Sequence, residues 1–399
     1  MAFRSALESK VIETATASRP SIPVLVPKLP GTEELIPFLR RIDANHWYSN
    51  YGPLWREFRD TLTLYMSRRT GRPDLRLSFA SSGTTAIELA LRLRAVAGRR
   101  FCLVPSFTFI ASAHAICNAG LEPFLLDIDE RSLVLTPEIV ERALPRLPEA
   151  PAAVLVVSAF GAPPNVRAWE AFERTHRIPV VFDAAAALMS LDTVGHQPIC
   201  VSMHATKVFG IGEGGAVLST DSGLIDRLTA MTGFGFASGS HASSIRGGNY
   251  RISEYAAAIG LAVLATIEQK VARLQSVIRC YASGLRNSRV RLQDGVGEQW
   301  ATMTLNVLLP PESVKDTLGV LDRAGVEWRR WWGLGCHTHP AFAGVASLPL
   351  PATRDLAPRV IGVPCHTELS NEAAQMICRQ LVLAHLIHAD EAAANDVLA

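Results

Sequence analysis

Charge of one sign is missing from this sequence. Its 39 basic and 37 acidic side chains leave a formal net charge of +2. A nucleic-acid footprint needs a strong basic excess on one face, so no nucleic-acid partner is expected. Paired cysteines are missing too. The seven, Cys102, Cys117, Cys200, Cys280, Cys336, Cys365 and Cys378, are odd in number, scattered, and form no CxxC pair. That argues against a disulfide framework and for a reducing, cytoplasmic compartment. Cys336, His337, His339, Cys365 and His366 match no common zinc spacing, and no metal site is expected. Met1 to Ala17 is mixed charged and polar, without the apolar core of a signal peptide. No apolar run approaches the roughly 20 residues of a membrane span. The run Tyr255 to Ile267 reads as a buried helix, and no membrane partner is expected. Internal repeats and low-complexity segments are absent.

What is present is a large core-forming capacity. Hydrophobic residues make up 48% and charged residues 19% of 399 positions. That length fits roughly two to three domains. Residues 1–30 read as an N-terminal arm, with prolines at 20, 23, 27 and 30. Short apolar runs then alternate with helical stretches. Leu75–Phe79, Phe101–Val104, Pro123–Leu126, Ala153–Val157 and Pro179–Phe182 read as strands. Helices are expected over Thr85–Ala97 behind a Thr84 cap, over Ile110–Ala119, and over Glu138–Leu144 with Thr136 as cap and Pro137 at the first position. Continuous apolar strands between helices imply an α/β fold with a parallel sheet covered on both faces. A long helix near Ser253–Leu285 bridges to a smaller C-terminal α/β domain, with a strand near Thr302–Leu309 and a last helix capped by Ser370. The boundary is placed near 262, giving a large domain over 31–262 and a small one over 263–399.

In such sheets ligands sit beyond the carboxyl ends of the strands, so the residues just after each strand carry the chemistry. Ser81-Ser82-Gly83-Thr84-Thr85 opens a helix after a strand. Its free N–H groups and hydroxyls form a cup for a phosphate, although an ordinary N-cap with a turn glycine would look the same. Asp183 ends a strand and is followed by four alanines. A carboxylate among such small neighbours has room to meet a bound ring; a plain helix cap is the other reading. Beside a pyridine, an ionised Asp keeps the ring nitrogen protonated. Lys207 follows Ser202-Met203-His204-Ala205-Thr206 and precedes Gly210-Ile211-Gly212-Glu213-Gly214-Gly215. Most lysines are solvated surface charges. This one sits among small and apolar residues, where desolvation lowers its pKa and makes it a usable nucleophile for an aldehyde. Ser202 adds a further phosphate donor.

These residues, taken in order, resemble the DegT/DnrJ/EryC1/StrS family of sugar aminotransferases. The match runs from about Ile22 to Leu381. It includes Asn45-His46-Trp47-Tyr48-Ser49-Asn50-Tyr51-Gly52-Pro53, then Ser82-Gly83-Thr84, then Pro105-Ser106-Phe107-Thr108-Phe109. The Asp183 turn, the Lys207 block and Gly248-Asn249-Tyr250-Arg251-Ile252-Ser253-Glu254 follow. No single block decides the case; the ordered set does.

The resemblance implies fold type I of the pyridoxal-phosphate enzymes, with a mostly parallel seven-stranded sheet in the large domain and a smaller C-terminal domain. It implies pyridoxal 5'-phosphate as cofactor, held by Lys207 as a Schiff base, and Lys207 as the proton shuttle. It implies that Asp183 pairs with the pyridine nitrogen, that Phe109 stacks on the ring, and that Gly83, Thr84, Thr85 and Ser202 hold the phosphate. Asn249 is implied to reach the phosphate of a partner subunit, making the site the property of a homodimer. The activity implied is transfer of an amino group from an amino acid, L-glutamate by resemblance, to a keto group of a nucleotide-linked deoxysugar. Three departures stand out. Ala186 occupies the place where the family has Gln or His near the ring hydroxyl. The usual His-Leu-Tyr-Gly stretch reads Ser158-Ala159-Phe160-Gly161. Trp331-Trp332-Gly333-Leu334-Gly335-Cys336-His337 replaces a Tyr/Pro-rich stretch, and there His337 is a candidate substrate contact or a surface loop histidine. Amination of a non-sugar cyclic ketone, a sugar dehydratase, and a non-catalytic cofactor-binding regulator are the alternatives. Dehydratase relatives carry His in place of the lysine, and Lys207 argues against that reading.

Overall fold

The computed structural model describes residues 22–236 and 242–396, with side chains described through residue 383. The expected arm therefore lies outside the described residues up to position 21. From Ile22 the chain is tied down: Ile22 bridges Val326 in parallel, and the Val24 N–H donates to Glu327 Oε2 at 2.9 Å.

Seven strands build the main sheet: β1 Arg76–Ala80, β2 Phe101–Pro105, β3 Glu122–Leu126, β4 Ala153–Val157, β5 Val180–Asp183, β6 Ile199–Ser202 and β7 Gly215–Ser219. Their spatial order is β1-β7-β6-β5-β4-β2-β3. β2 through β6 pair in parallel, while β7 runs antiparallel to both β1 and β6. The α/β architecture with a mostly parallel sheet is thus as the sequence pattern and the resemblance imply. Both faces are buried because alternate side chains enter different cores. Val154, Val156, Phe182 and Val201 join one cluster with the helix Pro53–Thr70. Leu155, Val157, Val181 and Cys200 join another, with the helices Gly83–Arg94 and Ala111–Asn118. Full burial of each such Val or Leu contributes roughly 1.5–3 kcal/mol.

Local corrections have physical causes. The helix after β1 starts at Gly83, and Ser82, not Thr84, caps it: Ser82 Oγ accepts the Thr85 N–H at 3.1 Å. It ends at Arg94, short of Ala97, because the chain turns extended at Ala95 and the Val96 N–H donates to the Ala152 carbonyl at 2.9 Å. A second sheet, β8 Arg291–Leu292, β9 Asn306–Leu308 and β10 Val360–Gly362, is antiparallel in the order β10-β9-β8. The strand expected over Thr302–Leu309 shrinks to β9. Thr302 Oγ1 donates to the Phe160 carbonyl at 2.7 Å and accepts the Thr304 N–H at 2.9 Å. Such local side-chain bonds compete with a strand ladder.

The bridging helix, Glu254–Leu285, is capped by Ser253, whose Oγ accepts the Ala256 N–H at 3.1 Å. It runs through residue 262 without a break. By length and composition alone it is apolar enough to cross a membrane. Here it packs against the helices Pro53–Thr70 and Asn371–Asp396, burying residues such as Leu274, Ile278 and Tyr281.

Candidate active site

A cavity of about 340 Å³ opens at the carboxyl ends of β4, β5 and β6. Asp183, the last residue of β5, is 6% exposed and faces it. Its carboxylate is fixed from two sides. Oδ2 accepts the Ser112 hydroxyl at 2.6 Å and Oδ1 accepts the Ala185 N–H at 3.1 Å. Ser112 is steadied in turn by the Thr108 hydroxyl at 2.7 Å. Burial pushes the Asp183 carboxyl above the ordinary carboxylate value. The two hydrogen bonds and the nearby Lys207 charge pull it back.

Lys207 reaches the same cavity from the adjoining strand. β5 and β6 pair in parallel with Asp183 opposite Cys200, so β6 ends at Ser202 beside the carboxylate. The chain then folds back on itself, the Met203 N–H donating to the Gly214 carbonyl and the Ala205 N–H to the Gly212 carbonyl, both at 2.8 Å. Glycines permit this return. A Cβ at Gly210 would stand 2.8 Å from the Ala205 carbonyl oxygen, and Gly212 has φ 93°. Burial holds the Lys207 amine below the usual lysine value, while Asp183 draws it upward.

Ser82, Gly83, Thr84 and Ser202 line the third side, at the start of the helix Gly83–Arg94. A Cβ on Gly83 would lie 2.8 Å from Ser202 Cβ. Glycine there lets the helix start and the end of β6 close into one cradle of amides and hydroxyls, suited to an anion.

Gly83, Thr84, Phe109, Asp183, Ser202 and Lys207 are therefore brought together from four segments of the chain. Thr85 and His337 lie outside this lining, as does Asn249, which is expected at a partner's site. Thr85 Oγ1 bonds the hydroxyls of Ser81 and Ser82, at 3.2 and 3.0 Å, outside the cavity lining. Asn249 Oδ1 accepts Arg251 Nη2 at 2.7 Å, away from this cavity. His337 pairs its Nδ1 with the Ser106 hydroxyl at 2.8 Å, and burial lowers its pKa. Its neighbours Trp331 and Trp332 line the cavity instead. The Trp332 ring stacks on Phe160 at 3.9 Å between centroids. Ser112 was not legible, because it lies on a helix 71 positions before Asp183. Among the described residues, no three His, Cys, Asp or Glu side chains stand together to hold a metal ion.

The donor set fits pyridoxal phosphate: a buried carboxylate for the ring nitrogen, an amine for the aldehyde, a helix start for the phosphate and Phe109 for the ring face. Ser158 also lines the cavity, and its buried Oγ has no hydrogen-bond partner within the protein.

Comparison with known proteins gives a concordant result. A sequence model of the DegT/DnrJ/EryC1/StrS aminotransferase family matches residues 31–382. "Protein Rv3402c" of Mycobacterium tuberculosis is 30% identical over 372 residues, covering 90% of this chain and 89% of that protein. The dTDP-4-amino-4,6-dideoxy-D-glucose transaminase of Shigella dysenteriae is 26% identical, covering 89% and 96%. Among solved structures, DesI in the presence of its TDP-sugar product superposes with a TM-score of 0.79 at 26% identity, covering 96% and 97%.

Proposed function

The chain belongs to the DegT/DnrJ/EryC1/StrS aminotransferase family and is a pyridoxal-phosphate-dependent aminotransferase; from that premise we propose that it aminates a keto group of a nucleotide-linked deoxysugar, with an amino acid, L-glutamate by resemblance, as donor. The sugar-nucleotide transaminase among its relatives supports this reading, as does the likeness to DesI. The observation that carries it is the meeting of Lys207 and Asp183 in one cavity.

When bound, the cofactor's protonated ring supplies an electron sink for the carbon that bears the amino group. The chain supplies the rest. Asp183, held by Ser112 and Ala185, orients the ring and keeps its nitrogen protonated. The depressed Lys207 amine takes the proton from the amino-bearing carbon of the donor and returns one to the acceptor carbon. Gly83, Thr84 and Ser202 grip the phosphate through the helix start. Phe109, Phe160, Trp331 and Trp332 line the cavity with aromatic side chains.

Two copies share the site in this reading, with Asn249 serving the partner's phosphate. Support comes from two pairs of neighbouring exposed aromatics, Tyr48 with Tyr255 and Phe234 with Phe236, which a partner could cover. The proposal includes a large domain over 31–262, a small one over 263–399, and a cytoplasmic setting, which suits cysteines that form no disulfide.

The test is incubation of the cofactor-loaded protein with glutamate and a panel of nucleotide-linked keto-deoxysugars and non-sugar cyclic ketones, read by mass spectrometry. Aminated sugar nucleotide is expected. Amination of the cyclic ketones alone would replace the acceptor assignment, and no exchange with glutamate would remove the donor.

A further inference from the structure

Resting on the reading of the cofactor site above, we propose that the Ser158 hydroxyl takes over the hydrogen bond to the cofactor's ring hydroxyl that Ala186 cannot make. The cofactor has four polar handles. Asp183, Lys207 and the Gly83 cradle account for the nitrogen, the aldehyde and the phosphate. The ring hydroxyl is left, and the turn after Asp183, four alanines long, offers no side chain to meet it.

Ser158 stands where such a donor is needed. It follows β4 directly, and the register pairs Val157 with Asp183. The Ser158 N–H donates to the Asp183 carbonyl at 2.8 Å, which fixes the residue beside the carboxylate. The next residues fold over the alanine turn, so closely that a Cβ on Gly161 would stand 3.0 Å from the Ala186 carbonyl oxygen. Ser158 is 6% exposed, lines the cavity, and its hydroxyl has no partner within the protein. Most buried hydroxyls are hydrogen-bonded, and an unpartnered one on a residue that lines a cavity is placed to take a ligand atom as its partner. The other buried, unpartnered polar atom among the lining residues is Trp331 Nε1. It lies over Gly362, where a Cβ would come within 2.0 Å of it.

The consequence is electrostatic. A hydroxyl donating to the ring oxygen stabilises that oxygen's anionic form. It thereby weakens the oxygen's hold on the proton of the neighbouring lysine-linked nitrogen. The visible absorption of the cofactor-loaded protein, titrated against pH, reads that proton directly. Ser158→Ala is expected to move the midpoint upward by about one unit, about tenfold in the proton equilibrium. An unmoved midpoint overturns the proposal, and so does a shift that appears only with substrate present, which would make Ser158 a substrate contact. Should S158A take up no cofactor, S158T, which keeps the hydroxyl, must restore both the band and the wild-type midpoint; its failure would leave Ser158 a packing residue and end the proposal. Lys207→Ala separates the two levels. An aldimine band that persists without Lys207 and without added amine refutes the site reading itself. A band that needs Lys207 but ignores Ser158 refutes only this inference.

Discussion

Two carboxylates are buried where the chain changes direction, and the protein uses them in opposite ways. Glu254, 1% exposed, opens the bridging helix. Its oxygens accept the Leu54 and Trp55 N–H groups, both at 2.8 Å, at the start of the helix Pro53–Thr70. The fit is close enough that a Cβ on Gly52 would stand 2.6 Å from Glu254 Cδ. The negative charge is matched by backbone donors and a helix N-terminus, and both oxygens are turned inward to the fold. Asp183 is held just as firmly by Ser112 and Ala185 but also faces a cavity with an amine. Asp127 resembles Glu254: it accepts the N–H groups of Ala352 and Thr353, both at 2.8 Å, and joins two segments. Burial of a charge therefore does not mark an active site. What marks it is a buried, oriented charge with a face left for something outside the chain.

The contrast is tested hardest at Lys207. Lys207→Ala is expected to lower glutamate-driven turnover by at least ~10³-fold with the thermal midpoint preserved. Full activity in that variant would remove the cavity from consideration. Asp183→Asn should cost about 10²-fold in turnover, measured by steady-state kinetics on cofactor-saturated protein. Its effect on stability has the opposite sign. Burial raises the folded-state pKa of Asp183, so its contribution to folding is full below the ordinary carboxylate value and is lost as pH rises through the raised one. Without cofactor, D183N should therefore gain on the wild type as the pH rises above the ordinary carboxylate value. Equal pH dependence of the two melting curves would contradict that account.

Glu254→Ala should do the reverse: a loss of about 2–4 kcal/mol in denaturant unfolding, with turnover per folded molecule near wild type. A selective loss of activity in E254A would collapse the distinction between the two carboxylates. The smallest effect is expected from Ser112→Ala. Removing the donor raises Asp183 further, so turnover should fall about tenfold and the acid limb of the pH–rate profile should move to higher pH.

Legibility in the sequence followed the range of the interactions. β4 was readable to the residue, because Ala153–Val157 is continuously apolar and bounded by turns. The Thr136–Pro137 and Ser253 helix starts were equally local. The shortening of the strand at 302–309 was not readable, since its cause is the Phe160 carbonyl some 140 positions earlier. Ser112, Ser158 and the Trp331–Trp332 wall join the site only through such crossings.

The sequence by itself determined the family, the cofactor chemistry and the alternation of strand and helix. Those depend on residue types at short, ordered spacings and on hydrophobic period, which the chain carries locally. Only the tertiary structure decided which polar groups share the cavity, because that depends on strand order. β5 beside β6 brings Asp183 to Lys207, and β4 beside β5 brings Ser158 to the alanine turn. The same packing sent His337 to Ser106 and Thr85 to the Ser81 and Ser82 hydroxyls, pairings set by contacts that only the folded chain makes.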